Sequence, residues 1–186
     1  MSGPLIERIH AAAAANPAAP AFIFQDRILT YAQFLSLIRA TARLLHDRGV
    51  RPGDTVGLSM GRWPMHCVAF LALARLGALS IPLPRNLTPE AGRALAARFG
   101  VSTVVSNWQD APVPPGARLL LLDSMSLDDA AVELDLGGYQ PDGSTPLRVA
   151  LTSGTTGARR GVIHTHASFA QRVDLTALDC DQHSRL

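Results

Sequence analysis

Between Thr152 and Val162 the chain reads Thr-Ser-Gly-Thr-Thr-Gly-Ala-Arg-Arg-Gly-Val. Gly154, Gly157 and Gly161 let the backbone approach a ligand closely, because no Cβ stands between them. Thr152, Ser153, Thr155 and Thr156 add hydroxyls that both donate and accept, and Arg159 and Arg160 bring two fixed positive charges. Backbone N–H groups, hydroxyls and guanidinium groups in one short stretch suit an anion rich in oxygens, and a polyphosphate is the expected one. The hydroxyl of Thr155 or Thr156 is also suited to hold a magnesium ion on the same phosphates. A polar hairpin loop that binds nothing has the same glycine and threonine content, and those clusters taken alone would favour it.

The other candidates carry less chemistry. His164 and His166 would share one face of a strand, but no third metal ligand lies near them in sequence. A structural role is therefore the stronger reading for His166. Cys67 and Cys180 are too few for a disulfide framework and lack zinc-site spacing, which fits a reducing, cytoplasmic setting. Asp128 and Asp129 read as a solvated loop, and Ser153 lacks the G-x-S-x-G setting of a hydrolase nucleophile. Trp63 and Trp108 are expected to pack at helix or strand ends rather than to stack on bases.

The elements that must position the glycine-rich stretch follow from periodicity and punctuation. Leu147 to Leu151 reads as a strand entering it, and Val162 to His164 as a strand leaving it. A loop between two strands differs from the strand-to-helix phosphate loop of Walker NTPases, whose spacing also fails at Arg159. No G-x-G-x-x-G is present. Upstream, Leu5 to Ala15 predicts a short amphipathic helix ending before Asn16-Pro17, and Ala21 to Phe24 with Ile28-Leu29 predicts a hairpin. Thr30 with Gln33 makes a capping box for a helix carrying Phe34, Leu37, Ile38 and Leu45, stopped at Gly49.

Strands are expected at 55–60, 78–83, 101–106 and 118–122. Helices are expected from Pro64 to Gly77 and from Thr88-Pro89 to Phe99. That alternation with short joints implies an α/β fold with a parallel or mixed sheet flanked by helices. Residues 124–146 are polar and acidic and read as a surface excursion; Ala167 to Leu178 predicts a last helix.

Composition narrows the class. With 47% hydrophobic and 17% charged residues in 186, the chain can bury a core and does not read as disordered. A formal charge of +2 from scattered basic residues gives no footprint for nucleic acid. The apolar run 63–83 is cut by Arg75, Gly77 and Pro82, so no membrane span is expected. All 17 basic residues are arginine; there is no lysine.

The stretch Thr152 to Val162 resembles the phosphate-binding signature of adenylate-forming (AMP-binding) enzymes: acyl- and aryl-CoA synthetases, luciferases and peptide-synthetase adenylation domains. The resemblance extends to Leu29-Thr30-Tyr31-Ala32-Gln33-Phe34, to Gly49 through Val56 and to Ala69 through Ala78, in the same order. Ser153 to Thr156, read with Asn86 to Glu90, leans toward the acyl- and aryl-CoA synthetases. The resemblance implies the N-terminal subdomain of the adenylate-forming fold, with Thr152, Ser153, Gly154, Thr155, Thr156, Gly157, Arg160 and Gly161 around ATP. Arg159 and Arg160 stand where the family usually has proline and then lysine.

The activity implied is that of a ligase. A small carboxylic acid attacks the α-phosphate of Mg-ATP, pyrophosphate leaves, and the acyl-adenylate passes to CoA or to a carrier phosphopantetheine. Family members continue with an aromatic-acidic motif, a ribose-binding aspartate, a hinge and a small domain with a catalytic lysine. No counterpart of these is found here, so 1–186 is expected to be an incomplete N-terminal domain whose partner is the missing C-terminal part. Within it, about 1–146 is expected to form an α/β subdomain, and 147–186 the phosphate-loop hairpin and helix that begin the next. No residue here reads as a catalytic acid, base or nucleophile. Self-association through an uncovered strand edge is a further expectation. The competing reading is a non-catalytic Rossmann-like module that binds a nucleotide or a protein partner.

Overall fold

The computed structural model describes residues 4–24, 27–61, 64–122, 139–151 and 161–183, the last seven of these by backbone alone. The chain opens with helix α1 (Pro4–Ala15) and the antiparallel hairpin β1 (Pro20–Phe24) and β2 (Arg27–Thr30). Helix α2 (Tyr31–Asp47) starts where expected. The Thr30 hydroxyl accepts from the Gln33 amide at 3.3 Å, and the Gln33 carboxamide accepts from the Thr30 amide at 3.0 Å. Two of the four N–H groups that a helix start leaves unpaired are thereby satisfied. Gly49 ends the helix at φ 85°, a conformation that costs a side-chain-bearing residue far more than glycine.

Alternation then begins: β3 (Thr55–Ser59), α3 (Pro64–Leu76), β4 (Leu79–Pro82), α4 (Pro89–Arg98), β5 (Thr103–Ser106), β6 (Arg118–Leu121), β7 (Pro146–Leu151), β8 (Gly161–Thr165) and α5 (His166–His183). Six strands form one sheet in the order β6-β5-β3-β4-β7-β8. All neighbours pair in parallel except β7 with β8, which are antiparallel. The expected α/β architecture with a mixed sheet is therefore present.

Helices cover both faces of the sheet. Val104 and Val105 point to opposite faces, as neighbours in a strand must, and they fall into two separate apolar clusters. One cluster joins Val105 to Ile6 of α1, Ile38 and Leu45 of α2, and Val68 and Leu73 of α3. The other joins Val104 to Ile81, Leu95 and Ala96 beneath α4. Helix α3 shows why its sequence looked almost uniformly apolar: Val68 to Ala74 are all buried, so it is a core helix rather than an amphipathic one.

The sheet order is what places the glycine-rich stretch. β7 does not pair with β6, which precedes it in the chain, but crosses to β4, where Ser80 faces Arg148 and the Ser80 hydroxyl donates to the Leu147 carbonyl at 3.1 Å. Among the described residues no helix is long and apolar enough to cross a membrane.

Candidate functional site

Because β3, β4, β5 and β7 run in parallel, their carboxyl ends share one edge of the sheet, the edge at which open α/β sheets bind ligands. Leu151, the last residue of β7, faces Gly161, the first of β8. The segment 152–160 thus leaves and re-enters adjacent strands at that edge, as the sequence reading of a strand–loop–strand unit requires. Thr152, Ser153, Gly154, Thr155, Thr156, Gly157 and Arg160 themselves lie outside the described residues.

Gly161 is the one candidate whose surroundings are visible. A Cβ built there would stand 2.5 Å from Val149 Cγ1 and 2.8 Å from Phe99 Cζ, closer than side-chain carbons pack. Its missing side chain lets β8 seat against the end of α4, a packing role that the sequence pattern did not reveal.

Around the same edge, the joints after β3, β4 and β5 come together. The Arg85 guanidinium lies 4.8 Å from the centre of the Trp108 ring, and the Ser106 hydroxyl donates to the Trp108 carbonyl while accepting from its amide. The Gly61 amide donates to Asn107 Oδ1 at 3.4 Å. Trp108 therefore packs at a strand end, as expected; Trp63 lies outside the described residues.

Arg148 is the charged residue that sequence reasoning passed over. It comes from the middle of β7 and lays its guanidinium over Phe70 of α3, 5.2 Å from the ring centre. Among the described residues no ion pair involves it. Burial pushes its pKa down, opposed by the nearby Cys67. Its charge reaches two neighbours on the first turns of α3. His66 is held below the ordinary histidine value by burial and then by Arg148, with the Met60 carbonyl opposing. Burial pushes the Cys67 thiol up, with Arg148 opposing. A thiol so placed is a poor nucleophile. The signal that marked this residue was a lone arginine inside an otherwise apolar strand, Leu147 to Leu151.

The two histidines do not share a strand face. β8 ends at Thr165, and His166 is the first residue of α5, fully buried, its amide donating to the Thr145 carbonyl at 3.0 Å. Burial lowers its pKa, while Asp142 and the Ala74 carbonyl favour the charged form; neither ring nitrogen reaches hydrogen-bond geometry. His166 thus stands at the strand-to-helix joint, and His164 turns instead toward Phe169, ring centres 6.2 Å apart. Among the described residues no three metal-ligating side chains gather. The acidic residues Asp128 and Asp129, and Cys180, lie outside the residues whose side chains are described.

Comparison with known proteins points one way. The model of a family described as "AMP-binding enzyme" matches residues 9–185. The long-chain-fatty-acid–CoA ligase FadD13 of Mycobacterium tuberculosis is 31% identical over 157 residues, a match covering 77% of this chain and 31% of that protein. Bacitracin synthase 1 of Bacillus licheniformis is 29% identical over 153 residues, covering 80% of this chain and 3% of that protein. Among solved structures, the N-terminal subdomain of Klebsiella oxytoca NpsA superposes with a TM-score of 0.78 at 23% identity, over 90% of this chain and 43% of that one. The inhibitor-bound N-terminal domain of FACL13 from M. tuberculosis gives 0.71 at 27% identity, over 89% and 45%. The chain spans about a third of the length of the FadD13 relative it matches.

Proposed function

The chain belongs to the AMP-binding enzyme family, and from that premise we propose that it is the N-terminal part of an ATP-dependent ligase that activates a carboxylic acid. The acid is joined first to AMP and then, as a thioester, to CoA or to a carrier phosphopantetheine. The observation that supports this reading is the pairing of β7 with β8: it sets Leu151 and Gly161, which flank the stretch in sequence, side by side at the carboxyl edge of a parallel sheet. CoA ligases and peptide synthetases both stand among the relatives, so either thiol acceptor fits.

The residues of the stretch fit a polyphosphate chemically. Amides freed by Gly154 and Gly157 and the hydroxyls of Thr152, Ser153, Thr155 and Thr156 would hold the outer phosphates, and Arg160 would neutralise charge on the departing pyrophosphate. A magnesium ion on these phosphates, ligated by the Thr155 or Thr156 hydroxyl, would supply further charge neutralisation. The contribution of this segment is positioning and electrostatic, with no covalent step. Arginine in place of an ammonium group keeps the charge and adds a planar fork of donors.

Acid-dependent exchange of labelled pyrophosphate into ATP tests the proposal. The 186-residue chain alone holds no candidate acid, base or nucleophile and is expected to show no exchange. Robust exchange by it would mean that the site is complete within these residues.

A further inference from the structure

A cavity of about 410 Å³ opens between α1 and α2, lined by His10, Ala13 and Ala14 from the first helix and by Ala32, Leu35, Ser36 and Arg39 from the second. The volume lies within the range of small-molecule sites, roughly 300–1,000 Å³. It shares no residue with the Thr152–Gly161 stretch or with the strands that carry it, so it stands apart from the function proposed above.

The lining is mixed: Ala13, Ala14, Ala32 and Leu35 give it an alkyl wall, and His10, Ser36 and Arg39 a polar side. No carboxylate lines it, although acids stand elsewhere on α1, α2 and α5. Arg8 of α1 pairs with Asp174, and Arg43 of α2 with Asp47 at 2.9 Å. Arg39 belongs to no ion pair among the described residues, and no hydrogen bond of its guanidinium appears among them. Its Nε is walled in without a partner, which leaves the terminal nitrogens as the donors that a ligand can meet. Ser36 sits one turn before Arg39 on the same face and adds a hydroxyl. A fixed positive charge with free planar donors, beside a hydroxyl and an alkyl wall, complements a single carboxylate attached to an apolar body.

We propose that this cavity binds a small organic carboxylate, its oxygens on the terminal nitrogens of Arg39 and the Ser36 hydroxyl, its apolar body against Ala13, Ala14, Ala32 and Leu35. An inorganic oxyanion would leave the alkyl wall unused, and a neutral analogue would leave the guanidinium without its charged acceptor.

Amide NMR titration of the chain with benzoate, benzamide and inorganic phosphate tests this. Benzoate is expected to shift amides of α1 and α2, with benzamide and phosphate each weaker by about tenfold or more, the loss typical of one charge-assisted hydrogen bond. Arg39→Gln is expected to cost benzoate a similar factor with helix content unchanged, and Ala32→Leu to weaken it by narrowing the cavity. Arg160→Gln is expected to leave this binding intact, so failure of the phosphate-loop reading and failure of this one are separable. Benzamide or phosphate binding as tightly as benzoate, full affinity in Arg39→Gln, or shifts confined to residues outside α1 and α2 each overturn the proposal.

Discussion

Gly161→Ala separates two roles that one glycine can play beside a loop. If its value lies in packing, the added methyl meets Val149 Cγ1 at 2.5 Å and Phe99 Cζ at 2.8 Å, where carbon atoms prefer about 3.5–4.0 Å. Both neighbours are side chains on regular or capping positions, one on the partner strand and one at the end of α4, so relief requires that β8 lift or that the Phe99 ring turn. Overpacking of this kind costs typically about 1–3 kcal/mol. In a chain of this size that corresponds to a fall in Tm of roughly 2–12 °C. Urea unfolding followed by circular dichroism measures it, with Phe99→Leu and the double variant completing a cycle. The double variant is expected to recover part of the loss, because the shorter side chain vacates the space that the methyl needs. An unchanged urea midpoint in Gly161→Ala, or a double variant whose losses merely add, would show that the contact with Phe99 does not hold β8 in place.

Three further outcomes follow from the geometry. Thr30→Ala removes one half of the capping box of α2 and is expected to cost about 1 kcal/mol by urea unfolding, since Gln33 then loses its acceptor. Arg148→Leu takes a cation from beside His66 and Cys67, so NMR is expected to show His66 titrating at higher pH, and the Cys67 thiol to be alkylated more slowly at a given pH; unchanged values for both would mean that the guanidinium does not reach them. His166, buried with its pKa lowered, binds its proton more readily in the unfolded chain. Stability is therefore full above the ordinary histidine pKa and is lost as pH falls below it, by at most about 1.4 kcal/mol per pH unit from this group. Unfolding midpoints from pH 7.5 to 5 measure the slope, and His166→Phe is expected to flatten it.

Much of the fold was legible because its signals are local. Thr30 and Gln33 cap a helix across one turn, Gly49 and Gly77 stop helices by a backbone conformation that only glycine adopts cheaply, and short apolar runs between them must be strands. The loop position between β7 and β8 was legible for the same reason. What pairs with what was not: nothing near Leu147 says that β7 crosses to β4, since that choice is made by burial against α3 and α4 far away in sequence. The same distance hid Arg148, which acquires its meaning only when β7 lies beneath α3, and the packing role of Gly161, which depends on Phe99. The joint between β8 and α5 was legible too, but the complete burial of His166 at the first position of α5 is a tertiary fact.

The central claim is that Thr152 to Gly161 holds the phosphates of ATP. Calorimetric titration of magnesium pyrophosphate into the chain, beside Gly154→Ala and Arg160→Ala, tests it most directly. Binding by the unaltered chain, weakened by about tenfold or more in Arg160→Ala and weakened again in Gly154→Ala, is the predicted result. Equal affinity in all three proteins, or no binding in any, would contradict it.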